Sequence, residues 1–417
     1  MLDSGKMFTS FIQAGFECST HKRFNGQRLD LVRSTSHDRF ARNDFERLKQ
    51  YGITTVREGA RWHLIESTPR SYEFETLDVI LDAASETGIE VILDLLHFGW
   101  PDHLDILSEQ FAEEFGRYVA AVAKYLRRRE RQVRFITPIN EISFLSWGGG
   151  SKGCINPYRK DCAPALKDNL IRAACTGSEI LLGELPGVRL ISTEPIINIV
   201  GDPSIEGDQH EAERYRLAQF EAWDMLAGLV RPELGGRPEY LDILGANFYD
   251  RNQWMHNSRT LGFNDAGYRP LRYMLQETWG RYQRPMFISE TGAEDGFRAE
   301  WFTYVCDEVE AARAMGVPIH GICLYPILNH PGWDDDRHCQ NGLLDMPDDA
   351  GNRNIHWPLA KTIRAQQRRF QPFNHVDSNE LDTHRSHLSF SSPLGLRFSA
   401  PPTSDESFRE DEAGVFP

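Results

Sequence analysis

Two glutamates, Glu141 in TPINE and Glu290 in FISE, each close a short apolar run rich in β-branched residues. A pair of carboxyl groups facing one pocket can share acid and base work. Cleavage of a glycosidic bond requires a proton donor for the leaving oxygen and a carboxylate on the opposite side of the anomeric carbon. Taken singly, either motif is weak, because acidic residues at strand ends commonly solvate loops or cap the following helix. The pair gains weight only if the fold carries both residues to one rim.

The elements that must position them recur at regular intervals. Strand-like runs lie at 7–16, 53–58, 90–97, 133–140, 188–194, 241–249, 285–290 and 318–326. Segments of helical period alternate with them, as in Phe74, Leu77, Ile80, Leu81, Ala84 and Phe111, Phe115, Val119, Val122, Leu126. Further helices are expected at 38–51, 165–184, 210–229, 267–282, 298–315 and 357–370. Gly52, Gly88 and Gly316 follow periodic runs and precede strands, as C-cap glycines do. Eight strand–helix units with near-continuous apolar strands predict an α/β fold, a (β/α)8 TIM barrel, over an open doubly wound sheet. Glu141 and Glu290 then end strands four and seven at the face where barrel active sites are built. Long loops are expected after strands four, five, six and eight.

The domain reading is one barrel, 1–370, followed by a flexible tail, 371–417, rich in Ser, Pro, Asp and Glu, with a docking segment conceivable around Leu394 to Phe398. Composition agrees with a globular chain: 40% of the 417 residues are hydrophobic, 11% aromatic and 26% charged. A net charge of −15 repels phosphate backbones and anionic headgroups, so nucleic acid and membrane partners are not expected, and a neutral small-molecule substrate fits better. Neither a signal-peptide pattern nor an apolar run of bilayer length is seen, and the reading is cytoplasmic. Seven scattered cysteines read as free buried thiols. Cys154 and Cys162 share a Gly-rich loop, but no second pair with zinc-site spacing accompanies them. No metal and no cofactor is expected, and oligomeric state is left open.

Beyond these patterns the chain resembles the clan of retaining (β/α)8 glycosidases, and within it the family 1 β-glucosidases, over roughly residues 8 to 370. VREGARWHLIES, LHFGWP, FITPINEI, ILGANFY, FISETG and the stretch ending in NGLL are similar to that family's motifs in the same order. Two departures, Ile142 after the acid/base glutamate and Gly332 before Trp333, make a neighbouring group of the family 5 type the alternative placement. The resemblance implies a retaining β-glycosidase acting on a glycoside or oligosaccharide, with Glu141 as general acid/base and Glu290 as nucleophile. It further implies that Arg57 holds and tunes Glu290, His97 contacts sugar hydroxyls, Asn140 holds the 2-hydroxyl, Tyr249 orients the nucleophile, and Asn247 contributes to substrate binding.

The remaining candidates rest on position. Trp333 follows strand eight, where an indole can stack on a pyranose face. Trp100, Trp147 and Trp254 follow other strands and line outer subsites or anchor loops. Glu17 and His21 follow strand one and Glu194 ends strand five, so they bind hydroxyls or join the rim's hydrogen-bond network. Asp334, Asp335 and Asp336 lack calcium-loop spacing and read as solvated charge. Each residue also has a structural reading: Arg57 as an ion pair, His97 as a core histidine, Asn140 as a turn former, Tyr249 as a core aromatic. Two other function classes stay open, a carbohydrate-binding pseudoenzyme on the same barrel and a metal-dependent hydrolase using His97, His320 or His338.

Overall fold

A computed structural model describes residues 6–131 and 133–370. The chain divides into a unit Met1–Phe370 and a second, Gln371–Pro417. The expected tail and its docking segment lie outside the described residues.

Eight parallel strands close into a barrel in sequential order. They are β1 (Ile12–Gly15), β2 (Thr55–Gly59), β3 (Glu90–Asp94), β4 (Phe135–Thr137), β5 (Arg189–Pro195), β6 (Ile243–Asn247), β7 (Met286–Thr291) and β8 (Ile319–Leu324). Each falls inside or within one residue of an expected run. Closure is made by β1 pairing with both β2 and β8, with Ala14 opposite Val56 and Ile12 opposite Ile322. A closed barrel has no edge strand to protect, and its strands, wrapped by helices, can be apolar on both faces.

The lower barrel is filled by Phe8, Ile92, Phe135, Ile191, Ile243, Phe287 and Cys323, with Tyr325 above. Phe8 enters from beneath β1 and packs its ring 4.6 Å from Phe135 and 5.1 Å from Phe287. This apolar plug leaves the C-terminal ends of the strands as the place where inward-facing side chains are polar.

The outer helices follow the expected periodicity. Helix Phe111–Arg128 buries Phe111, Phe115, Val119, Val122 and Leu126, and helix Glu75–Thr87 buries Leu77, Ile80, Leu81 and Ala84. Gly52, Gly88 and Gly316 all have positive φ, and the Gly88 N–H caps the carbonyls of Ala84 and Ser85. The expected helix 210–229 is broken into Asp208–Leu217 and Glu221–Leu226 by a tighter turn at Ala218–Phe220. The expected helix 267–282 begins only at Leu271, because Pro270 keeps the residue before it out of helical geometry.

Four loops carry structure that periodicity did not reveal. After Glu141 comes helix Ile142–Trp147, continued by a wider turn at Gly148–Lys152. A Cβ on Gly149 would sit 2.8 Å from Pro157, and one on Gly150 2.8 Å from Ala163, so bare glycines let this turn press against the returning loop. Asn198–Val200, after β5, pairs in parallel with Gln253–Met255, after β6. Two antiparallel ribbons, His330–Pro331 with His338–Cys339 and Leu344–Pro347 with Arg353–Ile355, follow β8. Among the described residues no helix is long and apolar enough to cross a membrane.

Candidate active site

Arg57, on β2, is fully buried at the top of the barrel core. Its Nε and Nη2 fork onto Asp94 of β3 at 3.1 and 2.6 Å, and Nη2 also donates to Asn140 Oδ1 at 2.6 Å. Nη1 reaches β7, donating to Glu290 Oε1 at 2.7 Å and to the Ser289 carbonyl at 3.2 Å. The ring of Tyr325 lies 5.4 Å from the guanidinium carbon. Burial disfavours the cation, but the carboxylates of Asp94 and Glu290 outweigh it and raise the Arg57 pKa further. One permanent positive charge therefore ties three strands and the segment after β4 together.

The two glutamates meet different surroundings. Glu290 takes Arg57 on Oε1 and the Tyr249 hydroxyl on Oε2 at 2.9 Å. Glu141 accepts from the neutral Asn247 amide, Nδ2 to Oε1, at 2.7 Å. Asn247 is itself oriented by Ser289 Oγ, which donates to its Oδ1 at 2.5 Å. Burial, and next the charge of Glu290, push the Glu141 carboxyl well above the usual range, although Asn247 opposes the shift. Both side chains are nearly sealed, with Glu141 8% and Glu290 5% exposed.

β4 stops at Thr137, four residues short of Glu141 and earlier than the expected boundary. The intervening segment is still laced to its neighbours: the Asn140 N–H donates to the Leu96 carbonyl at 2.9 Å and the Glu141 N–H to the Thr193 carbonyl at 3.1 Å. Glu141 itself sits in the left-handed region at φ 46°. Strain of this sort costs on the order of 1–3 kcal/mol and persists where surrounding structure imposes it.

His97 stands beside this pair. Its Nδ1 faces Asp94 Oδ2 at 3.0 Å, and Nε2 lies 3.3 Å from Asn140 Nδ2, 3.4 Å from Tyr325 Oη and 3.9 Å from Glu17 Oε1. Asn140 is held by Thr193 Oγ1, which donates to its Oδ1 at 2.7 Å. Glu17 is fixed by the N–H and hydroxyl of Ser19, at 2.9 and 2.5 Å. The fold thus gathers Glu17, Arg57, His97, Asn140, Glu141, Asn247, Tyr249 and Glu290 at one end of the barrel.

Trp333 lies half-buried over the same end, its ring 5.1 Å from His21, 5.5 Å from Phe98 and 6.3 Å from Phe144. Buried Arg23 holds its loop, donating to the carbonyls of Trp333 at 2.7 Å and Gly332 at 2.9 Å and to Asp336 at 2.7 Å. Asp334, Asp335 and Asp336 are exposed. Trp100 and Trp254 are buried and Trp147 half-buried, with Lys152 Nζ 5.9 Å from the Trp147 ring. His21 is buried, and burial lowers its pKa to about 4.

Glu194 turns away from the hydroxyl-binding role considered for it. Its carboxylate accepts from the Ser143 N–H at 3.0 Å, capping the helix that follows Glu141. The three histidines of a metal-dependent reading are not assembled: His338 pairs with Asp345 at 3.1 Å, and His320 lies on β8 near Arg313 and Arg189. All seven cysteines are free, but Cys154 is exposed and Cys162 half-buried, against the expectation of buried thiols throughout. Sequence reasoning passed over Asp94, Thr193, Ser289 and Tyr325. Asp94 had a signal, since a buried arginine on one strand demands a carboxylate on its neighbour.

The family model described as Beta-galactosidase, of glycoside hydrolase family 42, matches residues 33–101, a segment from the first outer helix to just beyond β3. No curated protein matches. Among solved structures, the β-glucosidase from Thermotoga maritima in complex with glucoimidazole has a TM-score of 0.71 at 17% identity, covering 86% of this chain and 98% of that one. The AHE enzyme from Alicyclobacillus herbarius has a TM-score of 0.71 at 18% identity, covering 87% of this chain and 100% of that one. At such identity the solved structures speak for the fold. The resemblance to the clan of retaining (β/α)8 glycosidases therefore holds in a local sequence match and in the architecture of the barrel.

Proposed function

We propose that the protein is a retaining β-glycosidase, with Glu290 as nucleophile and Glu141 as general acid/base. The observation that carries this reading is the unequal treatment of two buried carboxyl groups: Glu290 is gripped by a guanidinium and a phenol, whereas Glu141 meets a neutral amide. Paired groups whose surroundings push them toward opposite protonation states are how one pocket runs acid and base chemistry together.

In the first step Glu290 attacks the anomeric carbon while Glu141 gives its proton to the departing oxygen. In the second, Glu141, now ionised, takes a proton from water, which attacks the glycosyl–enzyme and restores Glu290. Tyr249 and Arg57 hold Glu290 in line. Asn140 and His97 present polar atoms to the sugar hydroxyls, Asn247 and Glu17 complete the polar wall, and Trp333 offers an apolar face for the ring. Every group needed is a side chain of this chain, and the substrate is a neutral glycoside or oligosaccharide. A family 42 segment match supports the β-linkage.

The test is hydrolysis of a panel of aryl β-glycosides by the wild type and Glu290→Ala, with the anomer of the first-formed sugar read by proton NMR. The β-anomer from the wild type and no turnover by the variant are expected. An α-anomer, or activity that survives in the variant, contradicts the mechanism.

A further inference from the structure

Glu141 is held in a backbone conformation that few non-glycine residues adopt, with φ 46° and ψ 61°. Such a conformation persists where its surroundings impose it. Here the constraint comes from two consecutive residues of β5. The Thr193 carbonyl accepts the Glu141 N–H at 3.1 Å and fixes the chain as it enters that residue. Glu194 fixes it on the way out: its carboxylate accepts the Ser143 N–H, 3.0 Å from Oε2 and 3.4 Å from Oε1, and the Ile142 N–H also favours its ionised form. Thr193 faces into the barrel, where its hydroxyl holds Asn140, so by strand alternation Glu194 points outward, against the first turn of helix Ile142–Trp147. Its side chain is sealed from solvent, at 1% exposed. Burial pushes its pKa up to about 7, while the N–H groups of Ser143 and Ile142 and the charge of Lys167, on helix Ala163–Glu184, pull the other way.

We propose that Glu194 is a positioning residue for the acid step: by gripping the backbone N–H groups that follow Glu141, it aims the Glu141 carboxyl at the departing oxygen. This rests on the reading of Glu141 as general acid/base. The carboxyl itself is tied to β6 through Asn247 Nδ2 at 2.7 Å. With its backbone clamped on both sides by β5 and its side chain held by β6, Glu141 has little freedom left to lose when substrate arrives. A proton donor must stand within hydrogen-bond reach of the leaving atom, and a misplacement of about 1 Å can cost on the order of a hundredfold in rate. Glu194 also acts through its charge. Glu141 feels the repulsion of Glu290 and of Glu194, opposed by His97, and both carboxylates raise its pKa. Ionised above about pH 7, Glu194 helps Glu141 keep the proton it has to deliver.

Glu194→Gln keeps the size and one acceptor oxygen but removes the charge, whereas Glu194→Asp keeps the charge and shortens the reach. Both are compared with the wild type by kcat/KM, which reports the steps through formation of the glycosyl–enzyme. Two β-glycosides of a sugar that the wild type accepts are used: a dinitrophenyl glycoside, whose leaving group departs without a proton, and an alkyl glycoside, whose leaving group needs one. Each variant is expected to lose at least about tenfold more on the alkyl than on the dinitrophenyl glycoside, since only the former depends on the acid. Equal losses on the two substrates, the mark of general damage, or no loss on either, overturn the positioning role. Should Glu194→Gln fail to fold, Glu194→Asp carries this comparison.

A measurement without turnover separates the link between the two carboxyls from the glycosidase reading. With glutamate labelled at the δ-carbon, the Glu141 carboxyl is identified by the signal lost in Glu141→Gln and titrated by carbon NMR in the wild type and in Glu194→Gln. Glu141 is expected to ionise at lower pH in the variant, because a repelling charge is gone. That shift in a chain that cleaves no glycoside supports the link and counts against the glycosidase reading alone; an unchanged titration overturns it.

Discussion

Arg57 and Glu290 meet across the barrel, from β2 to β7, through a 2.7 Å hydrogen bond between two buried side chains. The same guanidinium forks onto Asp94, so one cation serves two buried carboxylates.

Arg57→Met removes that cation and leaves Asp94 and Glu290 uncompensated. Breaking a buried pair from one side costs about 3–5 kcal/mol. Denaturant unfolding should show a loss of that order, and the double variant Arg57→Met/Asp94→Asn should recover part of it. Full stability in Arg57→Met would mean the network holds less than its geometry implies.

Glu141 carries the pH dependence. Its folded pKa is raised by burial and by Glu290, so the folded state keeps a proton that the unfolded chain releases near 4.5. Stability conferred by the protonated form is thus complete at low pH and declines as pH rises through the folded value. Glu141→Gln should raise Tm at neutral and alkaline pH and leave it unchanged well below pH 4.5. The alkaline limb of kcat/KM, which reports loss of the acid's proton in the free enzyme, should move to lower pH in any Glu290→Gln chain with residual turnover, because the repelling charge is gone. An alkaline limb that does not move would separate the two carboxyls electrostatically.

A second buried network governs stability away from the site. His37 stacks on Phe16 at 3.7 Å between centroids, its Nδ1 on Asp44 at 2.8 Å and its Nε2 on Glu58 at 2.9 Å. Arg353 Nε closes the far side of Asp44 at 2.6 Å. Burial opposes the imidazolium, but Glu58 and Asp44 raise the His37 pKa from 6.5 to about 9. Its contribution is fully present below pH 6.5 and lost as pH rises through about 9. Tm should fall across that window by an amount that His37→Gln abolishes, the variant being less stable below it. A flat Tm profile in the wild type would contradict the charged assignment.

The barrel was legible because closure repeats one signal: each strand is a short apolar run, and glycines at positive φ mark where helices stop. The gathering of Glu141 and Glu290 at one rim was legible from their strand-end positions, and the contacts of Arg57 and Tyr249 with Glu290 from the family resemblance. The rim was not legible where a role depends on packing between distant strands. Asp94 sits inside an apolar run and shows no role until Arg57 is seen beside it. Helix Ile142–Trp147 escaped notice because the glycines after it carry no periodic signal, and the choice between hydroxyl binding and the rim's hydrogen-bond network stayed open for Glu194 because its capping partner, the Ser143 N–H, belongs to that unseen helix.

The proposed division of labour between Glu141 and Glu290 is tested most directly by azide. Glu141→Ala acting on an aryl β-glycoside with a good leaving group forms the glycosyl–enzyme without acid help, then stalls for want of a base. Azide needs no base, and its small size suits the space left by the truncated side chain. The account predicts that azide restores turnover and that the product is the β-glycosyl azide. An α-glycosyl azide, or no azide-containing product while turnover continues, would contradict it.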